Sequence, residues 1–179
     1  MTRYVDTNII KHMSTGSDVN FGADAPAPVP EVPFSTTLLV RDCCLCLHVQ
    51  RAARALARRF DAALKPVSLT NGQFSLLMSL NRPDAPGVPR ATIGSVAELL
   101  GMDRTTLTAA ARVLYARGLI TVEAGAGDKR SKVLRLTLEG RRSLAAAVPI
   151  WTRVHGEIEH AMGDGEVKRL RKDLLLVGR

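Results

Sequence analysis

Aromatic residues are scarce in this chain, at 4% of its 179 residues, although 46% of the residues are hydrophobic. A core with so few aromatic side chains has to be built from leucine, valine and alanine. That composition favours helices over a β-sandwich, because leucine and alanine are good helix formers and sandwiches use aromatic residues freely. The length allows one domain with a substantial core and excludes two large ones.

Long apolar runs and widely spaced cysteines are also absent. No stretch approaches the roughly 20 apolar residues that a membrane-spanning helix needs, and the N-terminus lacks the charged-then-apolar pattern of a signal peptide. Cys43, Cys44 and Cys46 crowd into four positions and cannot form a spread disulfide framework. We therefore expect no membrane association and a reducing, cytoplasmic setting.

Positive charge is in excess, with a formal net charge of +8. The first 37 residues contain two basic and four acidic residues, so residues 38–179 carry a net charge of +10. An excess on the folded part is expected of a nucleic-acid binder, although a membrane surface or another polyanion would also attract it.

The first 36 residues are typical of a flexible tail. Prolines recur at every second or third position from Pro26 to Pro33. Such a stretch buries little apolar surface and is extended or disordered.

A long helical pattern follows the tail. From Leu38 to about Leu64, apolar residues recur at steps of three and four, which predicts one helix roughly 40 Å long. Pro66 ends it. Because such a length is typical of a dimer arm, we assign residues 37–68 to a dimerisation helix.

Short helical patterns occupy the middle of the chain. Thr70 is suited to cap a helix over 72–80, and a proline-rich loop follows it. Two further patterns are separated by a three-residue turn, in which Gly101 ends the first helix and Asp103 caps a second one over 104–117. Two short helices joined by such a turn indicate a helix-turn-helix.

The exposed face of the second helix carries residue types that suit the major groove of DNA. Arginine can bind guanine, threonine hydroxyls can reach phosphates or bases, and threonine and alanine methyl groups can contact thymine. A solvated face of an ordinary helical hairpin is the alternative interpretation. The candidate DNA-binding residues are Arg104, Thr105, Thr106, Thr108, Ala109 and Arg112.

A β-hairpin is predicted directly after these helices, over 119–123 and 132–137, with a glycine-rich basic tip. A helix-turn-helix followed by a hairpin is a winged helix. Asp128 is placed to hold Arg130 by a charge-assisted hydrogen bond. A basic, solvated hairpin is the alternative. The residues predicted to enter the minor groove are Lys129, Arg130 and Lys132.

Five segments resemble successive blocks of the MarR family of transcription regulators, in the family's order and spacing. The resemblance covers roughly residues 38–165 and implies that the helix over 104–117 is the recognition helix and that Arg130 enters the minor groove. One departure is the alanine triplet 109–111, where relatives often carry arginine or lysine for a phosphate contact. The segments are LTNGQFSLL (69–77), VAELLGMDRTTLT (96–108), ARGLI (116–120), GDKRSKVLRLTLEGR (127–141) and AVPIW (147–151).

The C-terminal part is predicted to form a helix from Thr137 to about Met162 and a last helix over 166–177. In the family, the first helix and the last two form the dimer interface. We expect a mainly α fold with a small β-wing and a homodimer on a pseudo-palindromic operator, with recognition helices about 34 Å apart. The expected regions are a tail (1–36), a dimerisation helix (37–68), a winged helix-turn-helix (69–137) and C-terminal dimerisation helices (138–179).

Members of the family usually respond to a small molecule or an oxidant. A candidate effector pocket involves His48, Trp151 and His155, although Trp151 is equally suited to be plain core. The oxidant alternative uses Cys46, with Cys43 one helical turn away as a resolving partner.

The oxidant alternative rests on a likeness to organic-peroxide-responsive members of the family, which share the spacing around Cys46. Those members place tyrosine hydroxyls beside the thiol, whereas this chain has Gln50 and Phe60 at the corresponding positions. We therefore expect Cys46 to be a packing residue.

Enzymatic and metal-binding classes find little support. The chain has no P-loop, GxGxxG, HExxH or GxSxG motif. Cys44 and His48 alone do not make a zinc site. We expect a regulator without catalytic residues, metal or cofactor. A helical protein-interaction module remains as a distant alternative.

Overall fold

The computed structural model describes residues 30–83, 85, 87–125 and 132–178. The chain divides into two units, residues 1–43 and residues 44–179. In the first unit, helix α1 covers Phe34–Cys43 and thus begins within the predicted tail. Residues 1–29 of that tail lie outside the described residues.

The prediction of one continuous helix from Leu38 to Leu64 was wrong. Helix α1 ends at Cys43, and helix α2 covers Leu45–Leu64. Cys44 between them has an extended backbone, with φ −72° and ψ 105°. Aspartate and cysteine are weak helix formers, and the Cys44 carbonyl accepts the first hydrogen bond of α2, from His48 N at 3.1 Å. Cys44 therefore acts as the residue that starts a new helix.

The second unit is mainly helical with one small antiparallel sheet, which confirms the predicted fold class. A 3₁₀ turn over Lys65–Val67 follows α2. The remaining elements are α3 (Asn71–Ser79), α4 (Ile93–Leu100), α5 (Arg104–Ala116), β1 (Ile120–Ala124), β2 (Lys132–Leu136), α6 (Leu138–Met162) and α7 (Asp164–Val177).

Side-chain caps set where these helices begin. Thr70 and Gln73 form a capping box at α3, and Thr92 and Ser95 form another at α4. Each box satisfies two backbone N–H groups that a helix start leaves unpaired. Thr137 caps α6 by accepting from Gly140 N at 3.0 Å. The caps at Thr70 and Thr137 confirm sequence predictions.

The core is built from aliphatic side chains, as the composition predicts. Phe60 and Phe74 are the buried aromatic residues of the described chain, and no polar or charged residue within the described ranges is buried. Helix α6 packs against α2 and α3, and α4 packs against α5. The largest fully buried side chains are Leu64, Leu76, Leu77, Val96, Leu107, Leu114, Ile120 and Leu134.

The hairpin pairs Ile120 with Leu136 and Val122 with Leu134. Leu134 and Leu136 face the core, as predicted, but Val133 on the opposite face is also buried. The reason is tertiary, because residues 91–92 run beside β2. Leu134 N donates to the Ala91 carbonyl at 2.8 Å, and a β-bridge joins Thr92 to Val133.

Candidate nucleic-acid interface

The start of helix α5 is held by Asp103, as the sequence predicts. One carboxylate oxygen accepts from Thr106 N at 2.8 Å, and the other accepts from the Thr106 hydroxyl at 2.6 Å. The hydrogen bond from the Thr106 hydroxyl, followed by that from its backbone N–H, lowers the pKa of Asp103 below its ordinary value. This cap fixes the first turn of the helix that the sequence marks for DNA.

Two threonine hydroxyls of α5 are used inside the protein. Thr106 donates to Asp103, and the Thr108 hydroxyl donates to the Arg104 carbonyl one turn back at 2.7 Å. Both hydroxyl protons are therefore used within the protein. The prediction that these hydroxyls reach phosphates or bases no longer includes donation of their protons. Thr108 still presents its methyl group and an oxygen lone pair, and the Thr105 hydroxyl makes no hydrogen bond among the described residues.

Five of the six predicted helix residues come together at one surface. They line a single shallow depression, from which Thr106 is absent. The guanidinium of Arg104 lies over Gly94 in α4, so that a Cβ at Gly94 would be 3.1 Å from Arg104 Nη2. The side chains of Arg104 and Arg112 are exposed. The residues of this recognition surface are Arg104, Thr105, Thr108, Ala109 and Arg112.

The hairpin borders this surface. Lys132 is exposed at the start of β2 and lines a second depression together with Thr108, Arg112 and Tyr115. The basic residue of the hairpin and the recognition surface therefore form one continuous face. Asp128, Lys129 and Arg130 lie outside the described residues.

The other end of α5 is fixed by Arg117, a residue that the sequence reading missed. Its guanidinium donates to the Ser68 carbonyl at 2.8 Å and to Gln73 Oε1 at 3.0 Å. Ser68 has a left-handed backbone, with φ 54°. No local pattern reveals this contact, because the partners lie 44 and 49 positions earlier in the chain. Helix α5 is thus attached to Ser68, which follows the 3₁₀ turn, and to Gln73 in α3.

The predicted effector pocket is only partly assembled. The rings of Trp151 and His155 lie 4.6 Å apart, and Trp151 stacks on Phe74 at 6.1 Å. His48 is exposed, and its Nδ1 lies 2.9 Å from the Cys44 carbonyl oxygen. In the part of the chain that the structure describes, no hydrogen bond, ion pair or ring contact joins His48 to the two rings.

A different, apolar cleft of about 430 Å³ opens beside Trp151. It lies between α3, α4 and α6, and its apolar lining extends to exposed parts of Met78, Leu99 and Val148. The residues that line it are Phe74, Ser75, Met78, Ser79, Leu99, Leu100, Val148 and Trp151.

The surroundings of Cys46 are not those of the packing residue that the sequence predicts. Cys46 is exposed, and its sulfur accepts a hydrogen bond from Gln50 Nε2 at 3.1 Å. Gln50 Oε1 in turn accepts from Arg54 Nη2 at 3.4 Å. Cys43 is exposed at the end of α1, and the break at Cys44 interrupts the helical spacing on which its pairing with Cys46 depended.

No group of three or more histidine, cysteine, aspartate or glutamate residues within the described ranges could hold a metal ion. No helix within them is both long and apolar enough to cross a bilayer.

Several known proteins are similar to this chain in sequence and in fold. A family model described as MarR family matches residues 67–131. The transcriptional regulator HosA of Escherichia coli is 33% identical over 89 residues, which are 50% of this chain and 62% of HosA. The chain thus spans less than two thirds of the length of that relative.

Two solved structures match more of the chain. The transcriptional regulator MosR of M. tuberculosis, in complex with DNA, is 38% identical and covers 75% of this chain and 93% of its own, with a TM-score of 0.67. The transcriptional repressor CouR, bound to a 23-mer DNA duplex, is 27% identical, covers 84% of this chain and 100% of its own, and has a TM-score of 0.66. The chain therefore belongs to the MarR family of transcriptional regulators, which are not enzymes.

Proposed function

We propose that this protein is a homodimer that binds a pseudo-palindromic operator in duplex DNA and so regulates transcription. The recognition surface on α5 carries this proposal. Two exposed guanidinium groups, of Arg104 and Arg112, flank the small side chains of Thr105, Thr108 and Ala109. Arginine can read guanine edges, and small methyl-bearing side chains allow close approach to thymine.

The geometry of α5 supports insertion into a groove. Asp103 holds its first turn and Arg117 attaches its last turn to the body of the protein. A rigid helix with a preset orientation loses little entropy on binding. The MosR and CouR structures are themselves complexes with DNA.

The exposed leucines of α7 support a dimer. Leu170, Leu174, Leu175 and Leu176 are each 42–68% exposed in the isolated chain. An apolar row of this kind on one terminal helix is a typical protein interface. A second copy of the chain is the proposed occupant, because two-fold symmetry would place two recognition helices about one DNA turn, roughly 34 Å, apart.

Selection of bound sequences from random duplex DNA tests the operator. We expect an inverted repeat whose half-sites are separated by about 10 base pairs. Binding must also fall steeply with salt concentration, because phosphate contacts release counterions. Absence of any enriched sequence together with salt-independent binding would favour a protein-interaction module instead.

Sedimentation at micromolar concentration tests the dimer separately. We expect a dimer for the wild-type chain and a monomer for a Leu170→Glu/Leu174→Glu variant. Lys168→Glu, an exposed substitution on the same helix, is the matched control and should remain dimeric. A monomeric wild-type chain would contradict the proposal.

We also propose that a small apolar effector binds in the cleft beside Trp151 and lowers operator affinity. The cleft lies between α6 and the helix-turn-helix. An occupant would therefore change the position of α4 and α5 relative to α6. A structure of CouR with p-coumaroyl-CoA, 29% identical to this chain, supports a ligand-responsive regulator. Release by a ligand was also the expectation from the sequence.

Trp151 provides the readout for this proposal, because it is the single tryptophan of the chain. Aromatic acids and their thioesters should change its fluorescence saturably in the wild type. Leu99→Arg should abolish that change, and Leu138→Arg, at an exposed position of α6 outside the cleft, should not. A redox-sensing regulator that uses Cys46 is the alternative, favoured by the hydrogen bond that its sulfur accepts from Gln50.

A further inference from the structure

A second, strongly basic cleft lies beside β2. It has a volume of about 250 Å³ and is bounded by the end of α3, the segment after it and the start of α6. Its floor includes Leu80, Ala91 and Val133, which are all buried. A volume of that size has room for a small polyatomic ion or group.

Four arginine side chains from three parts of the chain, the segment between α3 and α4, strand β2 and helix α6, line this arginine cleft. They are Arg82, Arg90, Arg135 and Arg141. Among the described residues that line the cleft none is acidic. Glu123 Oε2 lies 3.3 Å from Arg135 Nε and pairs with that arginine. Guanidinium groups around so small a volume repel one another, and a bound anion would relieve that repulsion.

Two of the arginines build the cleft. Arg82 donates to the Ser79 carbonyl and to the Pro89 carbonyl, each at 3.1 Å. These bonds join the end of α3 to Pro89, and Pro83 and Val88 near them line the cleft. Arg135 stands on β2, where its ion pair with Glu123 fixes its position across the hairpin.

The other two arginines are available to a ligand. Within the described ranges, neither Arg90 nor Arg141 makes a side-chain hydrogen bond or an ion pair. Both side chains belong to exposed residues at the rim of the cleft. The neighbouring Arg142, in contrast, lies 3.5 Å from Glu139 and does not line the cleft. The arrangement therefore presents two uncommitted guanidinium groups above an apolar floor.

We propose that the arginine cleft is a binding site for a phosphate group. A guanidinium binds phosphate with paired hydrogen bonds. A tetrahedral phosphate offers acceptor oxygens in several directions, which suits guanidinium groups that converge from different elements, whereas one carboxylate accepts in a single plane. The source is either a free phosphorylated molecule or the backbone of DNA. This site is separate from the recognition surface and does not depend on the proposed function.

Calorimetric titration with inorganic pyrophosphate at fixed ionic strength tests the proposal. We expect saturable binding of one pyrophosphate per chain. Arg90→Gln and Arg141→Gln should each weaken it by about tenfold, the loss of one charge-assisted contact. Arg142→Gln is the matched control, since it removes the same charge one residue away, and it should change the affinity by less than about twofold.

Titration of the same variants with duplex DNA distinguishes the two sources. Unchanged duplex affinity in Arg90→Gln and Arg141→Gln would assign the cleft to a free phosphorylated molecule. A selective loss of duplex affinity, with a salt slope smaller by about 1 for each variant, would assign it to a DNA phosphate. Failure of the wild type to bind duplex would count against the proposed function and leave the pyrophosphate result intact.

Three results would overturn the proposal. One is the absence of both pyrophosphate binding and a selective duplex effect. Another is an equal loss in Arg142→Gln, which would show a general effect of net charge. The third is succinate binding as tightly as pyrophosphate, which would show that the arginine cleft does not select phosphate.

Discussion

The α-carbon of Gly140 faces the carbonyl oxygen of Leu119 so closely that a side chain at position 140 would overlap that oxygen. The same carbonyl accepts from Thr137 N at 3.1 Å, and the Thr137 hydroxyl donates to the Gly118 carbonyl at 2.7 Å. The first turn of α6 is thereby joined to the turn that precedes β1. The absence of a side chain at Gly140 decides how closely the long helix approaches the winged helix-turn-helix.

Gly140→Ala should lower the free energy of unfolding by at least about 2 kcal/mol, because a backbone carbonyl cannot move aside as a flexible side chain can. Gly156→Ala is the matched control on the same helix, where a Cβ would meet nothing within 4 Å. It should raise stability by about 0.5–1 kcal/mol through helix propensity. Urea unfolding followed by circular dichroism measures both, and equal effects would contradict the close contact.

Gly94→Ala should weaken DNA binding without loss of stability. The new Cβ would lie 3.1 Å from Arg104 Nη2 and displace the guanidinium by a few tenths of an ångström. We expect a loss of about threefold to tenfold in operator affinity, part of what a well-placed arginine contributes. In an Arg104→Ala background, Gly94→Ala should have no further effect. A similar loss in both backgrounds would show that Gly94 acts by another route.

Arg130→Ala should weaken operator binding by about 1–3 kcal/mol, the scale of an arginine in a groove. Asp128→Ala should weaken it less, because it removes a positioning group and also a repulsion from phosphate. Arg142→Ala, at an exposed arginine outside the wing, controls for net charge. Electrophoretic shift titrations at one salt concentration measure all three. Wild-type affinity in Arg130→Ala would show that the wing assignment is wrong.

The contribution of the Asp103 cap should depend on pH in one direction. Because the folded state lowers the pKa of Asp103, its stabilising effect is complete above the ordinary aspartate pKa of about 3.9 and is lost as pH falls through the lowered value. The stability difference between wild type and Asp103→Asn should stay constant from pH 8 to 5 and shrink below pH 4. A difference that grows in acid would contradict this sign.

Cys46 should not act as a peroxide switch. A peroxide sensor reacts as a thiolate, which nearby positive charge stabilises. Gln50 supplies one amide hydrogen bond to the sulfur but no positive charge, while Arg54 reaches only the far end of Gln50. Operator affinity should be unchanged after stoichiometric organic hydroperoxide. Rapid, thiol-reversible loss in the wild type but not in Cys46→Ser would make Cys46 a sensor.

Caps and periodicity could be predicted because both signals lie within a few residues. The Thr70–Gln73 spacing sets one helix start, and Asp103 after Gly101 sets another. The carboxylate accepts from an N–H three residues ahead whatever surrounds it. The helix-turn-helix and the five-residue recognition surface therefore followed from local chemistry and from the resemblance to the family.

Contacts between residues that are distant in the chain could not be predicted from the sequence. Trp151 lies beside an apolar cleft and not in the predicted pocket with His48. The reason is that core packing sets the position of α6 against α3 and α4. The burial of Val133 depends on residues 91–92, about 40 positions earlier. A pattern within β2 holds no information about which segment covers its second face.

The amino-acid sequence by itself determined the mainly helical class, the caps that start α3, α5 and α6, the hairpin and the face of α5 that meets solvent. Tertiary structure alone decided that Arg117 holds the recognition helix to Ser68, that Gly140 fits against Leu119, and that four arginines converge on one cleft. The physical reason is one of range. Hydrogen bonds and apolar periods within a helix or hairpin are satisfied within a few residues, whereas clefts and clamps exist only after packing brings separate elements together.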